Sequence, residues 1–309
     1  MIWKDDGKRV SILSDDFNYE ECLLYLNRNP NEILHVVNRD HKTITKVIKL
    51  IQKPVLFQIQ RERNQLVVSF PMGTPDEETR KATAFYIMNW LDLGRNLEPF
   101  YQLADEDPIL QNVVHCYKGL RIVGVLDLFE ALCWAIMGQQ VSLHVAYLLK
   151  KRFVEAFGEY VFWEGQNYWV FPTFQTIVKV SVQDLLPLKF TQNKAEYILG
   201  VAQLMQEGKL SKDILHQYTD LADIEKHLMA IRGIGRWTAN YVIMRCLRHP
   251  DAFPITDVGL HNALKHVLQL EHKPSLQEVE EWSKNWGHWK AYATFYLWRT
   301  LWNDKYPSA

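Results

Sequence analysis

Between Leu228 and Asn262 the chain reads Leu-Met-Ala-Ile-Arg-Gly-Ile-Gly-Arg-Trp-Thr-Ala-Asn-Tyr-Val, a short loop, then Pro-Ile-Thr-Asp-Val-Gly-Leu-His-Asn. Gly233 and Gly235 flank one apolar residue, so the backbone can turn where a side chain would clash. Helical spacing follows directly over Arg236 to Cys246, and a further helix is expected over Val258 to Leu268. A glycine turn feeding a helix start leaves amide N–H groups pointing outward, where they and the positive end of the helix dipole favour an anion such as phosphate. The same turn also suits an ordinary helix–helix connection, where glycine follows the first helix. The acid beyond it, Asp257, is placed to open a helix and needs no function to be there.

The first 72 or so residues have a different character. Ile33 to Val37, Thr43 to Leu50, Val55 to Gln60 and Gln65 to Phe70 are short β-branched runs, with Arg61 to Asn64 as a hairpin connection. They predict a small antiparallel sheet, with a helix over Glu20 to Leu26 against one face. Pro75-Asp76-Glu77-Glu78 supplies the cap and first-turn acids of a longer helix through Leu91. Leu103 to Pro108, containing Ala-Asp-Glu-Asp-Pro, is the best linker candidate. Beyond it helices succeed one another: Asp127 to Gly138, Val141 to Phe157, Thr173 to Val180, Gln192 to Gln206, Lys212 to Tyr218 and Asp223 to Ile231. Phe162 to Pro172 is a loop or short ribbon, and Ser275 to Asn303 gives two helices split near Gly287. The expected class is α+β, with an N-terminal domain over 1–106 and a mostly α-helical region over 107–309.

Composition restricts the chemistry. A net charge of −1 excludes a general polycation, so any nucleic-acid contact must use a local patch and backbone amides. Cys22, Cys116, Cys133 and Cys246 are dispersed without metal-ligand spacing, which argues against a zinc ribbon or iron–sulfur cluster. Cys133 and Cys246 fall on apolar helical faces and are expected to be buried thiols. No apolar run is long enough for a membrane span, and the N-terminus does not start as a signal peptide; a cytoplasmic protein is expected.

Glycine turn, helix, loop and carboxylate in this order resemble the helix–hairpin–helix Gly/Pro/Asp superfamily of DNA glycosylases, and within it the AlkA-type 3-methyladenine DNA glycosylases II. The resemblance is carried by Gly119-Leu-Arg-Ile-Val-Gly through Phe129 to Gly138-Gln-Gln-Val-Ser142, by Gly233-Ile-Gly-Arg-Trp-Thr-Ala239 through Asp257, and by Trp289-Lys-Ala-Tyr-Ala through Trp298. Phe171-Pro-Thr and Lys194-Ala-Glu lie between them in the family's order. It covers Cys116 to Trp302. Over the first hundred residues it rests only on a small α+β domain standing where AlkA-type proteins carry one. The helix–hairpin–helix spans about 223–247.

The resemblance implies roles. Asp257 stands where the superfamily keeps its catalytic carboxylate, which suits oxocarbenium character developing on the sugar and can orient water. Asp251, the rival acid six residues earlier, is out of place for the motif. Trp237 occupies the position that holds a Schiff-base lysine in bifunctional members, so a monofunctional, water-using glycosylase is implied. Trp237, Tyr241 and Trp298 match pocket-lining positions, where electron-poor alkylpurines gain about 0.5 to 2 kcal/mol per aromatic contact. Gln139 is placed at the pocket edge. Gln140 is placed as the wedge that fills the gap left by a flipped nucleotide, a departure from the leucine seen there. Gly233, Gly235, Arg236, Trp237 and Thr238 form the phosphate-binding hairpin, with Arg232 replacing a frequent proline.

A backbone-held monovalent cation at the hairpin is also implied. No cofactor and no side-chain metal site are expected, and the partner is damaged double-stranded DNA, met by a monomer that is nucleoid-associated if bacterial. The residues by themselves leave other readings open. Asp257 could only cap its helix, and the aromatic residues could pack a core. Trp282, Trp286, Trp289 and Trp302 are assigned to the core as one helical stripe, and Tyr292 is undecided. Two other functions remain: a superfamily glycosylase for hypoxanthine or an oxidised purine, or a non-catalytic DNA-binding protein.

Overall fold

The structure, a computed structural model, describes residues 3–50 and 53–302. Strands β1 (Trp3–Asp5), β2 (Val10–Leu13), β3 (Val36–Asn38), β4 (Thr43–Leu50), β5 (Lys53–Glu62) and β6 (Gln65–Ser69) form an antiparallel sheet in the order β1-β2-β6-β5-β4-β3. β1 and β2 escape the sequence reading because they are three and four residues long and the first is mostly polar. Pairing of Ile44 with Ile59 and of Val47 with Leu56 fixes the central register. Alternation along β4 and β5 sends Ile44, Ile48, Phe57 and Ile59 into the main core. Val47 and Leu56 point the other way, under Tyr168 of a ribbon formed by β7 (Glu159–Trp163) and β8 (Gln166–Val170). Both faces of the middle strands are thus covered. The ribbon starts three residues before the expected segment, and the first expected strand is shorter and shifted to Val36–Asn38, with Ile33 to His35 outside it.

Helix α1 (Tyr19–Leu26) starts where the Asn18 side chain accepts from the Glu21 amide at 3.2 Å, and α2 (Glu77–Trp90) where Asp76 accepts from the Thr79 amide at 2.7 Å. The segment read as a linker is helical through Glu106, within α3 (Glu98–Glu106); Pro99 in its first turn favours that start, and Phe100, Tyr101 and Ala104 bury one side. After α4 (Gln111–Cys116), the helix α5 (Leu128–Met137) has nine of its ten residues buried and forms the axis of the helical part. Around it stand α6 (Leu143–Phe157), α7 (Phe174–Ile177), α8 (Val182–Leu185), α9 (Gln192–Gln206), α10 (Lys212–Leu215), α11 (Leu221–Met229) and α12 (Arg236–Val242). The sheet side and the helical side are tied by Lys150 with Glu32, Arg299 with Glu21, and Arg28 with the Tyr147 hydroxyl.

The single helix expected over Arg236 to Cys246 is two structures. α12 ends at Val242, and Ile243–Leu247 winds as a π-turn closed by Arg248 in the left-handed region, at φ 59°. The wider turn lets the buried Arg245 reach the Val123 carbonyl at 2.8 Å and the Tyr241 hydroxyl at 3.0 Å. α13 (Val258–Val267) and α14 (Leu276–Ser283) follow, then a tight 3-10 segment over Lys284–Trp289 and α15 (Lys290–Arg299). Gly287 breaks that segment at φ 48° and ψ −131°, so the tail tryptophans do not share one stripe. Trp286 is fully buried, but Trp302 turns toward Tyr25, with ring centres 5.0 Å apart. Asn303, the expected end of the tail, lies outside the described residues. Cys133 and Cys246 are buried, as expected.

Candidate active site

α5, α6, the α11–α12 turn, α13 and α15 meet around a cleft of about 970 Å³. Its walls include Tyr25, Arg28, Trp134, Gln139, Gln140, Trp237, Tyr241, Arg245, Asp257, Trp298 and Trp302. The sequence placed six of these in or beside the pocket. Its volume lies within the range of small-molecule and cofactor sites.

Asp257 caps α13: its Oδ1 accepts from the Leu260 amide at 2.7 Å. The same Oδ1 accepts from Trp298 Nε1, and Oδ2 accepts from Trp237 Nε1, each at 2.8 Å. Capping and cleft placement are therefore not alternatives. The cap fixes the side chain at the helix start, and the two indoles hold it between walls drawn from α12 and α15. Gly259 makes room for this. A Cβ there would sit 2.8 Å from Asp257 Oδ1 and 3.1 Å from Trp298 Nε1. Sequence reasoning missed Gly259; its signal was a glycine inside the first turn of a helix, where it costs stability relative to alanine.

The aromatic wall is continuous. Trp237 stacks on Tyr241 with centres 5.4 Å apart at 28°, and Tyr241 faces Trp298 at 6.4 Å and 34°. The Tyr241 hydroxyl accepts from Trp134 Nε1 at 2.7 Å and from Arg245, while burial raises its pKa above the ordinary tyrosine value. Tyr292, undecided from sequence, is packed away from the cleft, its hydroxyl donating to Asp92. Asp251 pairs with His288 at 2.9 Å and does not line the cleft.

The hairpin is built around Gly233, whose φ of +89° only glycine adopts readily and whose missing Cβ leaves room for the Tyr197 ring. Gln139 donates to the Gly233 carbonyl at 2.8 Å and to Thr238 Oγ1 at 3.1 Å, locking the hairpin against the end of α5. Thr238 is buried by this contact, so its hydroxyl faces inward rather than toward a phosphate. Gly235 is exposed with no atom near the position of a Cβ, and Arg236 is exposed and paired with Glu225 at 2.8 Å. Gln140 is exposed at φ 55°, on a rim that continues through the exposed Val141, Leu143 and Val145.

Residues 133–288 match the HhH-GPD superfamily of base excision DNA repair proteins, and residues 22–132 match the N-terminal domain of 8-oxoguanine DNA glycosylase. A DNA-3-methyladenine glycosylase of Bacillus subtilis (strain 168) is 44% identical over 305 residues, covering 97% of this chain and all of the relative. The chain belongs to the HhH-GPD superfamily. Within it, this is an N-glycosyl hydrolase of the DNA-3-methyladenine glycosylase type, in base excision repair. A 3-methyladenine DNA glycosylase from Archaeoglobus fulgidus superposes with a TM-score of 0.81 at 25% identity, covering 93% of this chain and 96% of its own. The 8-oxoguanine glycosylase/lyase of Clostridium acetobutylicum, in complex with double-stranded DNA, shares the fold at a TM-score of 0.76 and 17% identity, covering 97% of each chain. Among the described residues, no helix is long and apolar enough to cross a membrane.

The glycosylase cleft also includes residues that the sequence did not place there, Trp302 having been assigned to the core. Tyr25, Arg28, Trp134, Arg245 and Trp302 all line it. Tyr25 and Arg28 come from the sheet side of the molecule, so the cleft is not made by the helical region alone.

Proposed function

We propose that this glycosylase is monofunctional, rotating alkylated purines of the 3-methyladenine and 7-methylguanine type out of duplex DNA and hydrolysing the N-glycosidic bond to leave an abasic site. The observation that carries this reading is Asp257, set in the cleft by the indole N–H groups of Trp237 and Trp298. Breaking the bond leaves positive charge on the sugar, and a carboxylate fixed beforehand stabilises it without reorganising. Water completes the reaction, with Asp257 orienting it. Trp237 supplies no amine for a Schiff base, so strand cutting is not part of the reaction.

The extruded base enters the aromatic wall of Trp237, Tyr241 and Trp298, which favours electron-poor rings. Backbone amides at the start of α12, opened to approach by Gly235, grip a phosphate, with Arg236 released from Glu225 to assist. Gln140 and its exposed apolar neighbours enter the gap in the duplex. The activity named for the Bacillus subtilis relative supports the substrate class. No cofactor enters the reaction. The monovalent cation that the resemblance implies would be held by backbone carbonyls of the hairpin and would take no part in a chemical step.

Methylated duplex DNA incubated with the wild type and with Asp257→Asn tests the proposal, with released bases, abasic sites and strand cuts measured separately. Free 3-methyladenine or 7-methylguanine without cutting is the expected result. Unchanged release by Asp257→Asn would remove Asp257 from the mechanism, and DNA binding without release of any base would leave only a binding protein.

A further inference from the structure

Tyr25 stands in the last turn of α1 and Arg28 two residues beyond its end, and both line the cleft. The Arg28 guanidinium lies 3.7 Å over the Tyr25 ring and donates through Nε to the Tyr147 hydroxyl at 2.8 Å. These contacts set its plane. Its two terminal nitrogens have no hydrogen-bond partner among the described residues, and Arg28 borders both the cleft and a smaller cavity lined by Glu32, His35 and Lys46. The Tyr25 hydroxyl likewise has no partner among the described residues, on a residue only 4% exposed. Arg245 lies over the same ring at 5.4 Å, with its Nε donating to Val123 and one Nη to Tyr241, so it is tied more fully than Arg28.

An arginine side chain has donors and no acceptor, so open N–H groups beside an aromatic wall select a carbonyl oxygen and reject an amino group. The candidate bases divide on this point. 7-Methylguanine and hypoxanthine carry oxygen at C6, whereas 3-methyladenine carries an amino group there. We propose that Arg28, oriented by Tyr25 and Tyr147, is a specificity-determining residue that donates to the exocyclic oxygen of a flipped 6-oxopurine. Excision of 6-oxopurines then depends on Arg28, and excision of 3-methyladenine does not. This inference rests on the alkylpurine reading above. It goes beyond that reading by dividing the substrate range according to one side chain.

The test measures 7-methylguanine and 3-methyladenine released from one methylated duplex, and hypoxanthine from a duplex that contains it, by the wild type, Arg28→Leu and Arg28→Lys. Arg28→Leu is expected to lower release of both 6-oxopurines by about 10- to 100-fold, the span of a hydrogen bond from a charged donor. Release of 3-methyladenine should stay within about threefold, and Arg28→Lys should recover part of the loss. Equal loss for all three bases would show a role in packing only, and no loss would show no contact; either overturns the inference. If thermal unfolding shows that Arg28→Leu does not fold, Arg28→Gln is read by the same ratio. A wild type that releases no base overturns the alkylpurine reading and this inference with it. A wild type that releases all three, with a ratio that Arg28→Leu leaves unmoved, overturns the inference alone.

Discussion

The two rims of the cleft differ in how much of their surface is already committed. On the rim made by α12, α13 and α15, Asp257 receives three N–H donors, Gly259 leaves room for one of them, and Tyr241 is held by Trp134 and Arg245. On the other rim Gln140 sits at φ 55°, and Val141, Leu143 and Val145 are exposed. The first rim is organised before any ligand arrives. The second keeps apolar and polar surface in reserve, which suits a partner as large and irregular as an opened duplex.

The sharpest way to break this comparison is to alter the ordered rim. Asp257→Asn is expected to slow base release by about a thousandfold, the upper range for loss of one preorganised group, while binding to an abasic-site duplex persists. Single-turnover release together with a binding isotherm checks both halves. Gly259→Ala places a methyl group against the Asp257–Trp298 contact, and a misplacement of that size costs about a hundredfold in rate. Near-normal release by Gly259→Ala would mean that the ordered rim tolerates movement, and the contrast would collapse. Trp298→Phe keeps an aromatic ring, though a smaller one, and removes one donor to Asp257; about tenfold slower release is expected, with a smaller change in base affinity.

The open rim should respond in affinity rather than rate. Leu143→Ala is expected to weaken duplex binding by about three- to tenfold, the loss of one apolar contact of modest size, with little effect on thermal stability because Leu143 is 46% exposed. Gln140→Gly relieves a left-handed residue and should stabilise the protein by up to about 1 kcal/mol, read from denaturant unfolding, while excision falls a few-fold. A gain in stability with full activity would show that Gln140 is strained for no functional reason.

What could be read from the chain alone followed the reach of local rules. The hairpin, Asp257 and the helix-capping acids were legible because glycine, cap and helical phase act within a few residues. The central strands were legible because β4 and β5 are long enough to show β-branched runs. The π-turn at Ile243–Leu247 was not, since one extra residue in a turn leaves no compositional mark. The bond that turns the Thr238 hydroxyl toward Gln139 could not be read either, because its partner lies 99 residues away. Trp302 was assigned to a stripe that Gly287 interrupts. Tyr25 and Arg28 had no local signal; they reach the cleft only because the sheet side packs against α6, through contacts such as Arg28 with Tyr147.

The acceptor count at Asp257 has a consequence of its own. An ionised carboxylate offers about four lone-pair directions, and three are already taken: two on Oδ1 and one on Oδ2. A bare negative charge would be indifferent to which way it faced. With a single direction left on Oδ2, this side chain acts as a pointer as well as a charge. In the proposed reaction, whatever water it orients is held along one line, and the same net charge on a longer glutamate arm would aim elsewhere.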